Sequence, residues 1–331
     1  MHKVLVVGDA NVDIIVPYPK FINAERTLVD YPTPELQGGG TSANTAVALS
    51  RLGVPTSFLG TIGDDQYGKY IKNDFQNEGV DISQLVVEPD LNTVGVFAFV
   101  DENGERYLWG WPRENQAFKY LDDSKVTYES LKEVSWVHSS GMSLVYNTSA
   151  RRTIIRLFRI AFELGIPTSF DLNLRVDNGK LDVEYQKSIY EIIRYTTYLL
   201  GSGKDEFNYL GEQGKWKENA KSFVSDKRTV IIRNGKDGVI GISSKEEIEV
   251  PSFHVEVVDT VGAGDVFNAG FIAKRLENEL LKSCLINGNA VSGYTVSKKG
   301  ARNSPYKHEL EAFLQKYNER NQTNEKSDFR L

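Results

Sequence analysis

Strand-like and helix-like patterns alternate along the chain. Residues 4–7, 134–138, 167–170 and 229–233 are rich in apolar and β-branched side chains and end at glycine or polar residues, as buried strands do. Residues 45–52, 154–164 and 266–276 carry apolar side chains at helical spacing, and the first two stretches stop at glycine. This alternation predicts a parallel sheet with right-handed crossovers.

A second pattern lies between the first helices and the later strands. Residues 93–100 and 105–109 flank the tetrapeptide 101–104, whose Asn103-Gly104 pair is typical of a hairpin turn. The first of these strands is apolar on both faces, so both faces should be covered. Trp109 and Trp111 lie at the end of the second strand, and such a pair is typical of a core or of a contact between subunits.

Composition narrows the class of protein. The 331 residues allow one large α/β domain or two smaller ones, and 25% charged with 40% hydrophobic residues is ordinary for a globular protein. A formal net charge of −6 argues against nucleic-acid or anionic-membrane partners. No segment is apolar enough to span a bilayer and the start of the chain lacks the layout of a signal peptide, so we expect a cytoplasmic protein.

Cysteine and histidine offer no metal cluster. Cys284 is the single cysteine, which excludes an internal disulfide, and its apolar neighbours predict a buried thiol. The four histidines are scattered and indicate neither a metal site nor a catalytic triad.

The strongest local chemistry lies at residues 254–271. Residues 254–258 have the pattern of a short strand, and a Gly262-Ala263-Gly264 turn then leads into a helix. Small residues allow the backbone to approach a ligand, and the free amides of a helix start bind anionic phosphate oxygens. Asp265 either stabilises the helix dipole or accepts a proton from a substrate hydroxyl, and the helix N-terminus is expected to lower its pKa.

A family resemblance favours the second role for Asp265. The segment Asp259-Thr260-Val261-Gly262-Ala263-Gly264-Asp265 closely resembles the C-terminal motif of the ribokinase-like (PfkB) carbohydrate kinases. The resemblance implies that Asp265 is the catalytic base and that the amides of Gly262, Ala263 and Gly264 form an anion hole.

Further motifs appear in the order that this family has, and the resemblance covers residues 3–308. Residues 39–44 (Gly-Gly-Thr-Ser-Ala-Asn) and 60–68 resemble its first motif, and Asp171-x-Asn173-x-Arg175 resembles a segment of fructokinases and 2-keto-3-deoxygluconate kinases. The implied sugar contacts are Asp13, Gly39, Gly40, Asn44 and Arg175, and Arg113 beyond the hairpin is a further candidate.

The resemblance also implies nucleotide and ion sites. Nucleotide contacts are assigned to Arg233, Gly235, Gly238 and Asn289, the last in a helix expected to begin at residue 287. Glu206 matches the acid of an Asn-x-x-Glu motif linked to magnesium, but Gly203 stands where the Asn should be. Asp259, Val261, Gly300 and Ser304 match segments that hold potassium in several relatives.

Together these patterns predict a three-layer α/β/α sandwich with a mostly parallel central sheet and a small β lid. The kinase domain should span residues 1–317, with lid segments at about 12–37 and 92–116 and a flexible tail at 318–331. The implied activity is ATP- and Mg²⁺-dependent phosphorylation of a ribose- or fructose-type sugar, in a protein that is a candidate for dimerisation through the lid. A sugar-acid kinase, a nucleoside kinase and a non-catalytic sugar-binding regulator are the alternatives, whereas no Gly-x-Gly-x-x-Gly follows a strand to support a dehydrogenase.

Overall fold

A computed structural model describes residues 3–17, 33–100 and 106–328. Its strands are β1 Lys3–Val7, β2 Asn11–Pro17, β3 Glu35–Gly39, β4 Thr56–Leu59, β5 Thr61–Gly63, β6 Val86–Glu88, β7 Gly95–Val100, β8 Arg106–Trp111, β9 Val134–Ser140, β10 Thr168–Asp171, β11 Tyr198–Ser202, β12 Thr229–Arg233, β13 Val239–Ile242 and β14 Glu247–Val250. Its α-helices are α1 Thr41–Arg51, α2 Gln66–Asn77, α3 Ser149–Glu163, α4 Val183–Ile193, α5 Trp216–Ser222, α6 Ala263–Leu276, α7 Leu281–Val296 and α8 Lys307–Asp328. A short 3₁₀ turn covers Ala301–Asn303.

The central sheet has eight strands in the order β14-β13-β12-β11-β10-β9-β1-β4. Neighbours from β4 to β12 are parallel, and β13 and β14 are joined to that edge by antiparallel pairing. The mostly parallel sheet expected from the alternating pattern is therefore confirmed. Crossovers of this kind place the ends of β1, β9, β10, β11 and β12 at one edge.

Helices cover both faces of the sheet. Side chains of β1 alternate between the two cores, because successive residues of a strand point to opposite faces. Val4 and Val6 belong to the core formed with α1, α2, α6, α7 and α8. Leu5 and Val7 belong to the core formed with α3, α4 and α5. The three-layer arrangement is confirmed.

A separate four-stranded sheet, here called the small sheet, has the order β3-β2-β7-β8. β2 runs parallel to β7, and β7 runs antiparallel to β8, as the hairpin pattern predicted. The turn predicted at residues 101–104 lies outside the described residues. Residues 18–32 of the first predicted lid segment also lie outside them. β7 and β8 lie within the second predicted lid segment, whereas β2 begins one residue before the first segment and β3 ends two residues after it.

The starts of two helices differ from the sequence predictions. α1 begins at Thr41 rather than at residue 45, because the carboxylate of Asp9 accepts hydrogen bonds from Thr41 N and Ser42 N at 2.8 and 3.2 Å. This distant acid supplies the cap that the local sequence lacks. α7 begins at Leu281 rather than at 287, so Asn289 lies in the middle of a helix.

The segment before the glycine turn is not a strand. β14 ends at Val250, and residues 251–260 have no strand partner in the part of the chain that is described. The side chains of Val257 and Val258 are 60% and 59% exposed. Val258 N and Asp259 N both donate to Val296 O at the end of α7. The β-branched run therefore connects β14 to the turn as an irregular segment held by α7.

The C-terminus differs as well. α8 continues to Asp328, so residues 318–328, for which no regular structure was expected, are helical. Within the described ranges, the helices are all too short or too polar to cross a membrane.

Candidate active site

A cleft of about 670 Å³ lies where the carboxyl ends of the central strands meet the small sheet. Val96 of β7 and Leu108 of β8 contribute apolar side chains from the small sheet, opposite the start of α6. Fourteen of the predicted site residues line this cleft: Asp13, Gly40, Asn44, Arg175, Glu206, Arg233, Gly235, Gly238, Val261, Gly262, Ala263, Gly264, Asp265 and Asn289. Residues from across the whole chain thus converge at one place.

Asp265 lies in the first turn of α6, and its side chain is buried, with 6% exposure. Asn44 Nδ2 donates to its Oδ2 at 2.8 Å, and Thr45 Oγ1 donates to its main-chain oxygen at 3.0 Å. Burial raises the pKa of Asp265 well above its usual range, although the Asn44 hydrogen bond acts in the opposite direction. The expectation that the helix N-terminus lowers this pKa is therefore wrong, because desolvation is the larger effect.

The glycine turn is constrained by its neighbours. Gly262 has φ 75°, in the left-handed region that glycine adopts without strain, and it is the N-cap of α6. A Cβ on Gly262 would lie 2.4 Å from Ala301 Cβ, and one on Gly264 would lie 2.7 Å from Arg233 Nη1. The first amides of α6 have no carbonyl partner within the helix, although Ala263 N donates to Thr260 O at 3.3 Å, so this turn presents donors to an anion in the cleft.

Arg233 is held in a buried group of charges below the turn. Its Nη1 and Nη2 donate to Oδ2 and Oδ1 of Asp171 at 3.0 and 2.6 Å, and Nη1 also donates to Asn268 Oδ1 at 3.1 Å. Burial opposes ionisation of Asp171, but Arg233 and Asn268 hold the pKa of Asp171 below its ordinary value. The guanidinium predicted to contact nucleotide thus lines the cleft while most of its donors bind protein groups.

Glu206 is the third charged side chain of this group, beside Arg233 and Asp171. Its Oε1 accepts from Leu174 N at 2.7 Å and its Oε2 from Ser202 N at 2.5 Å, and Arg233 Nη2 lies 3.7 Å from Oε2. Burial and the charge of Asp171 raise the pKa of Glu206 to about 7. Both carboxylate oxygens are therefore engaged by the main chain, which leaves Glu206 suited to bind water around a cation rather than the cation itself.

The structure shows why position 203, where the magnesium motif usually has asparagine, is occupied by glycine. A Cβ on Gly203 would lie 2.5 Å from Asn234 Oδ1, so the neighbouring strand end fills the space of a larger side chain. Asp205 is an exposed carboxylate that lines the cleft beside Glu206. The described residues contain no group of three or more His, Cys, Asp or Glu arranged to hold a metal. The donor set fits Mg²⁺ that is held mainly by nucleotide phosphates, since that ion usually keeps several waters.

The opposite end of the cleft is suited to a polyol. Asp13 on β2 is half-buried and accepts a hydrogen bond from Asn11 Nδ2 at 2.7 Å. A Cβ on Gly39 would lie 2.5 Å from Asp13 Oδ1, so Gly39 lies against Asp13 without lining the cleft. Arg175 is exposed and donates to Asn173 O at 3.3 Å, and both residues line the cleft.

Four predicted residues besides Gly39 lie outside the cleft. Arg113 is exposed and does not contribute to its lining. Asp259 Oδ1 accepts from Val261 N at 3.1 Å and Oδ2 from Gly300 N at 2.7 Å, so this carboxylate joins the turn to the loop that follows α7. Ser304 is buried, and its carbonyl accepts from Arg51 Nη1 at 2.8 Å.

Sequence reasoning missed two side chains that shape the site. Asp9 lines the cleft, and its carboxylate orients the start of α1. Asn268, one turn after Asp265, donates to Asp171 Oδ2 at 2.7 Å. An acid directly after Gly8 at the end of β1 is a recognisable signal for Asp9, whereas the apolar surroundings of Asn268 in the sequence give no such signal.

Comparisons with known proteins agree with this geometry. A family model described as pfkB family carbohydrate kinase matches residues 1–308. The aminoimidazole riboside kinase of Salmonella typhimurium is 31% identical over 333 residues, which cover 95% of each chain.

Two solved structures share the fold. One is described as ribokinase II from E. coli in complex with ATP and Mg²⁺, and it matches with a TM-score of 0.82 at 25% identity over 96% of this chain and 100% of its own. The other is a fructokinase double mutant from Vibrio cholerae bound to fructose, ADP and a potassium ion, with a TM-score of 0.80 at 25% identity over 95% and 98% of the two chains. The extent of the family match and the identity to a curated kinase show that the chain is a kinase of the pfkB carbohydrate kinase family.

Proposed function

We propose that the protein transfers the γ-phosphoryl group of ATP to a hydroxyl of a small sugar, with Asp265 as the base. The observation that carries this proposal is the buried Asp265 carboxylate beside the glycine turn at the start of α6, in the same cleft as Asp13. A carboxylate whose pKa is raised by burial is a better proton acceptor than an exposed one.

The reaction follows from the positions of these groups. The phosphates of ATP lie against the amides of Gly262, Ala263 and Gly264, whose dipoles stabilise charge on the transferring group. The acceptor hydroxyl lies at Asp265, which takes its proton as the new oxygen–phosphorus bond forms and the bond from the γ-phosphorus to the bridging oxygen of ADP breaks. Bound Mg²⁺ neutralises phosphate charge, and Asp205 and Glu206 are the carboxylates that would hold its waters.

Asn289 and the glycines of the β12–β13 connection belong to the nucleotide end in this proposal. Gly238 has φ 95° and packs against Val250 O, and Asn289 Nδ2 donates to Pro251 O at 2.9 Å. These contacts fix the loop on either side of the space that a nucleotide would fill.

A ribose- or fructose-type sugar is the proposed acceptor class. Asp13 supports this, because a half-buried carboxylate accepts hydrogen bonds from adjacent sugar hydroxyls while Val96, Leu108 and Met142 contact the carbon skeleton. Two other acceptors have support of their own. The relative named for aminoimidazole riboside favours a nucleoside, and the guanidinium of Arg175 favours a sugar acid.

A substrate panel tests the proposal. Ribose, fructose, aminoimidazole riboside and 2-keto-3-deoxygluconate are each incubated with ATP and Mg²⁺, and ADP release is compared between the wild type and Asp265→Asn. We expect sugar-dependent ADP release that the variant loses. Sugar binding without ADP release by the wild type would instead support the non-catalytic regulator.

We also propose that a second copy of the chain covers the outer face of the small sheet. Trp109 and Trp111 are 47% and 52% exposed there, and Phe97 lies beside Trp109 with ring centroids 5.8 Å apart and the ring planes tilted by 38°. An exposed aromatic face of this kind is typical of subunit contacts. Light scattering should give a dimer for the wild type and a monomer for Trp109→Lys.

A further inference from the structure

The loop that follows α7, residues 300–304, contacts the small sheet, the glycine turn and helix α1. Gly300 lies against the small sheet, since a Cβ there would be 2.3 Å from Gln37 Oε1 of β3. Ala301 lies against Gly262 of the turn. Arg51 of α1 holds the carbonyls of Arg302 and Ser304. We call these residues the 300–304 loop.

Arg302 is the charged residue at the centre of this loop. It is 7% exposed, its Nη1 donates to Ala43 O at 2.8 Å, and its Nη2 lies 3.0 Å from Asp74 Oδ2. Ala43 precedes Asn44, whose amide holds the Asp265 carboxylate. One guanidinium thus contacts the start of α1 directly beside the residue that orients the proposed base.

The pair formed by Arg302 and Asp74 also lies directly against β3. A Cβ on Gly38 would be 2.3 Å from Asp74 Oδ2 and 2.4 Å from Arg302 Nη2. Any movement of this strand relative to α2 therefore displaces the pair. The next residue, Gly39, packs on Asp13 at the sugar end of the cleft.

Within the proposed phosphoryl transfer, we infer that Arg302 is a positioning residue for the glycine turn, and that Asp74 makes this position depend on strand β3 of the small sheet. When β3 closes on a sugar held by Asp13, its Gly38 presses on the ion pair. The 300–304 loop then sets Ala301 against Gly262, so that the anion hole is aligned only when the acceptor is present.

The energetics of the pair favour a positioning role over a stabilising one. Burial raises the pKa of Asp74 and lowers that of Arg302, so desolvation outweighs the attraction between the two charges. Buried ion pairs are commonly replaced by apolar pairs without loss of stability. Among the described residues, Nε and Nη2 of Arg302 and Oδ2 of Asp74 also make no well-aligned hydrogen bond, so the pair is a contact between charges only. We therefore expect the pair to act through the geometry that it fixes more than through the free energy of folding.

The test replaces both charges together, with Asp74→Leu and Arg302→Met in one chain, so that neither is left unpaired. The double variant should unfold at a temperature close to that of the wild type and bind sugar with a Kd within about threefold of it. Its kcat should fall about 100-fold, the cost of a misplacement of about 1 Å. ATP hydrolysis without sugar should be unchanged, so the stimulation by sugar is lost.

Asp123→Leu combined with Arg156→Met is the matched control. Arg156 of α3 forms an exposed ion pair with Asp123, and neither residue lines the cleft. The same two substitutions there should leave the unfolding temperature near that of the wild type and kcat within about twofold, because an exposed pair contributes little to stability. A double variant with the kcat of this control would overturn the inference, and so would a double variant whose sugar Kd weakens as much as its kcat falls.

A binding measurement separates this inference from the proposed function. ADP with aluminium fluoride imitates the transferring phosphoryl group, and its affinity is measured by calorimetry with and without sugar. In the wild type, sugar should tighten this affinity by about 10-fold, and in the double variant it should not. If the wild type turns over no sugar, the proposed function fails, but a weaker affinity of the double variant for the mimic still supports Arg302, and an equal affinity refutes it.

Discussion

Asn44 Nδ2 lies 2.8 Å from Asp265 Oδ2, although the two residues are 221 positions apart in the chain. Asn44 lies in the first turn of α1 and Asp265 in the first turn of α6, so the starts of two helices are in direct contact at the wall of the cleft. The hydrogen bond fixes one carboxylate oxygen and leaves the other available to a substrate hydroxyl.

Replacing Asn44 should change the pH dependence of turnover. Asn44→Ala removes the hydrogen bond that favours the ionised Asp265, so the pKa of this carboxyl rises further. The base must be ionised to act, and the acid limb of the kcat profile therefore moves to higher pH. Turnover at pH 6 relative to pH 8.5 should fall about 10-fold.

Thr45→Val is the control for this change. It removes a hydrogen bond to the main-chain oxygen of Asp265 and leaves the carboxylate untouched. Its pH profile should follow that of the wild type. Identical acid limbs for wild type and Asn44→Ala would show that Asp265 does not govern the pH dependence.

Asp265→Asn should abolish most of the turnover without unfolding the protein. The amide has the size of the carboxylate and can still accept from Asn44, but it cannot take a proton. We expect kcat to fall about 10²–10⁴-fold while the Kd values for sugar and ATP stay near those of the wild type. Near-normal kcat in steady-state assays of this variant would mean that another group is the base.

Arg175→Ala should discriminate between acceptor classes. The Arg175 guanidinium is exposed within the cleft and binds only the Asn173 carbonyl among the hydrogen bonds described. If a carboxylate binds there, kcat/KM for 2-keto-3-deoxygluconate should fall about 10–100-fold while that for fructose or ribose is unchanged. Arg113→Ala, outside the cleft, should change neither value. No turnover of the keto acid by the wild type would exclude this acceptor.

Potassium should increase the activity. Asp259 joins the turn at Val261 to the 300–304 loop at Gly300, and one solved structure of the same fold is described with a bound potassium ion. Activity should rise when potassium replaces tetramethylammonium at equal ionic strength, and Asp259→Asn should lose this response. Equal wild-type rates in both salts would show that the protein does not need the ion.

The sequence predicted the fold well because hydrophobic patterns report burial. The runs that form β1, β9, β10 and β12 lie in the central sheet, where both faces are covered. The segment 254–258 has the same β-branched composition but no strand beside it among the described residues, since its amides bind the end of α7. The amino-acid composition of a segment shows that it could form a strand, but it does not show whether a neighbouring strand is there to pair with it.

Sequence motifs predicted the residues of the site. The features of the site that they did not predict depend on contacts between residues far apart in the chain. The start of α1 at Thr41 depends on Asp9, and the raised pKa of Asp265 depends on burial by groups far away in the chain. The Arg302–Asp74 pair joins residues 228 positions apart in two segments with no motif between them. Such contacts follow from tertiary packing and leave no local pattern to read.

The contact between Gly262 and Ala301 limits how this protein can be altered. Because the Ala301 side chain occupies the space that a Cβ on Gly262 would take, a larger side chain at residue 301 should displace the turn. Asp13, Asn11 and Val96, at the sugar end, do not take part in that contact. Within the proposed function, a larger side chain at position 301 is therefore expected to give a receptor that binds the sugar and does not consume it, with Trp109 and Trp111 on β8 as intrinsic fluorescent reporters.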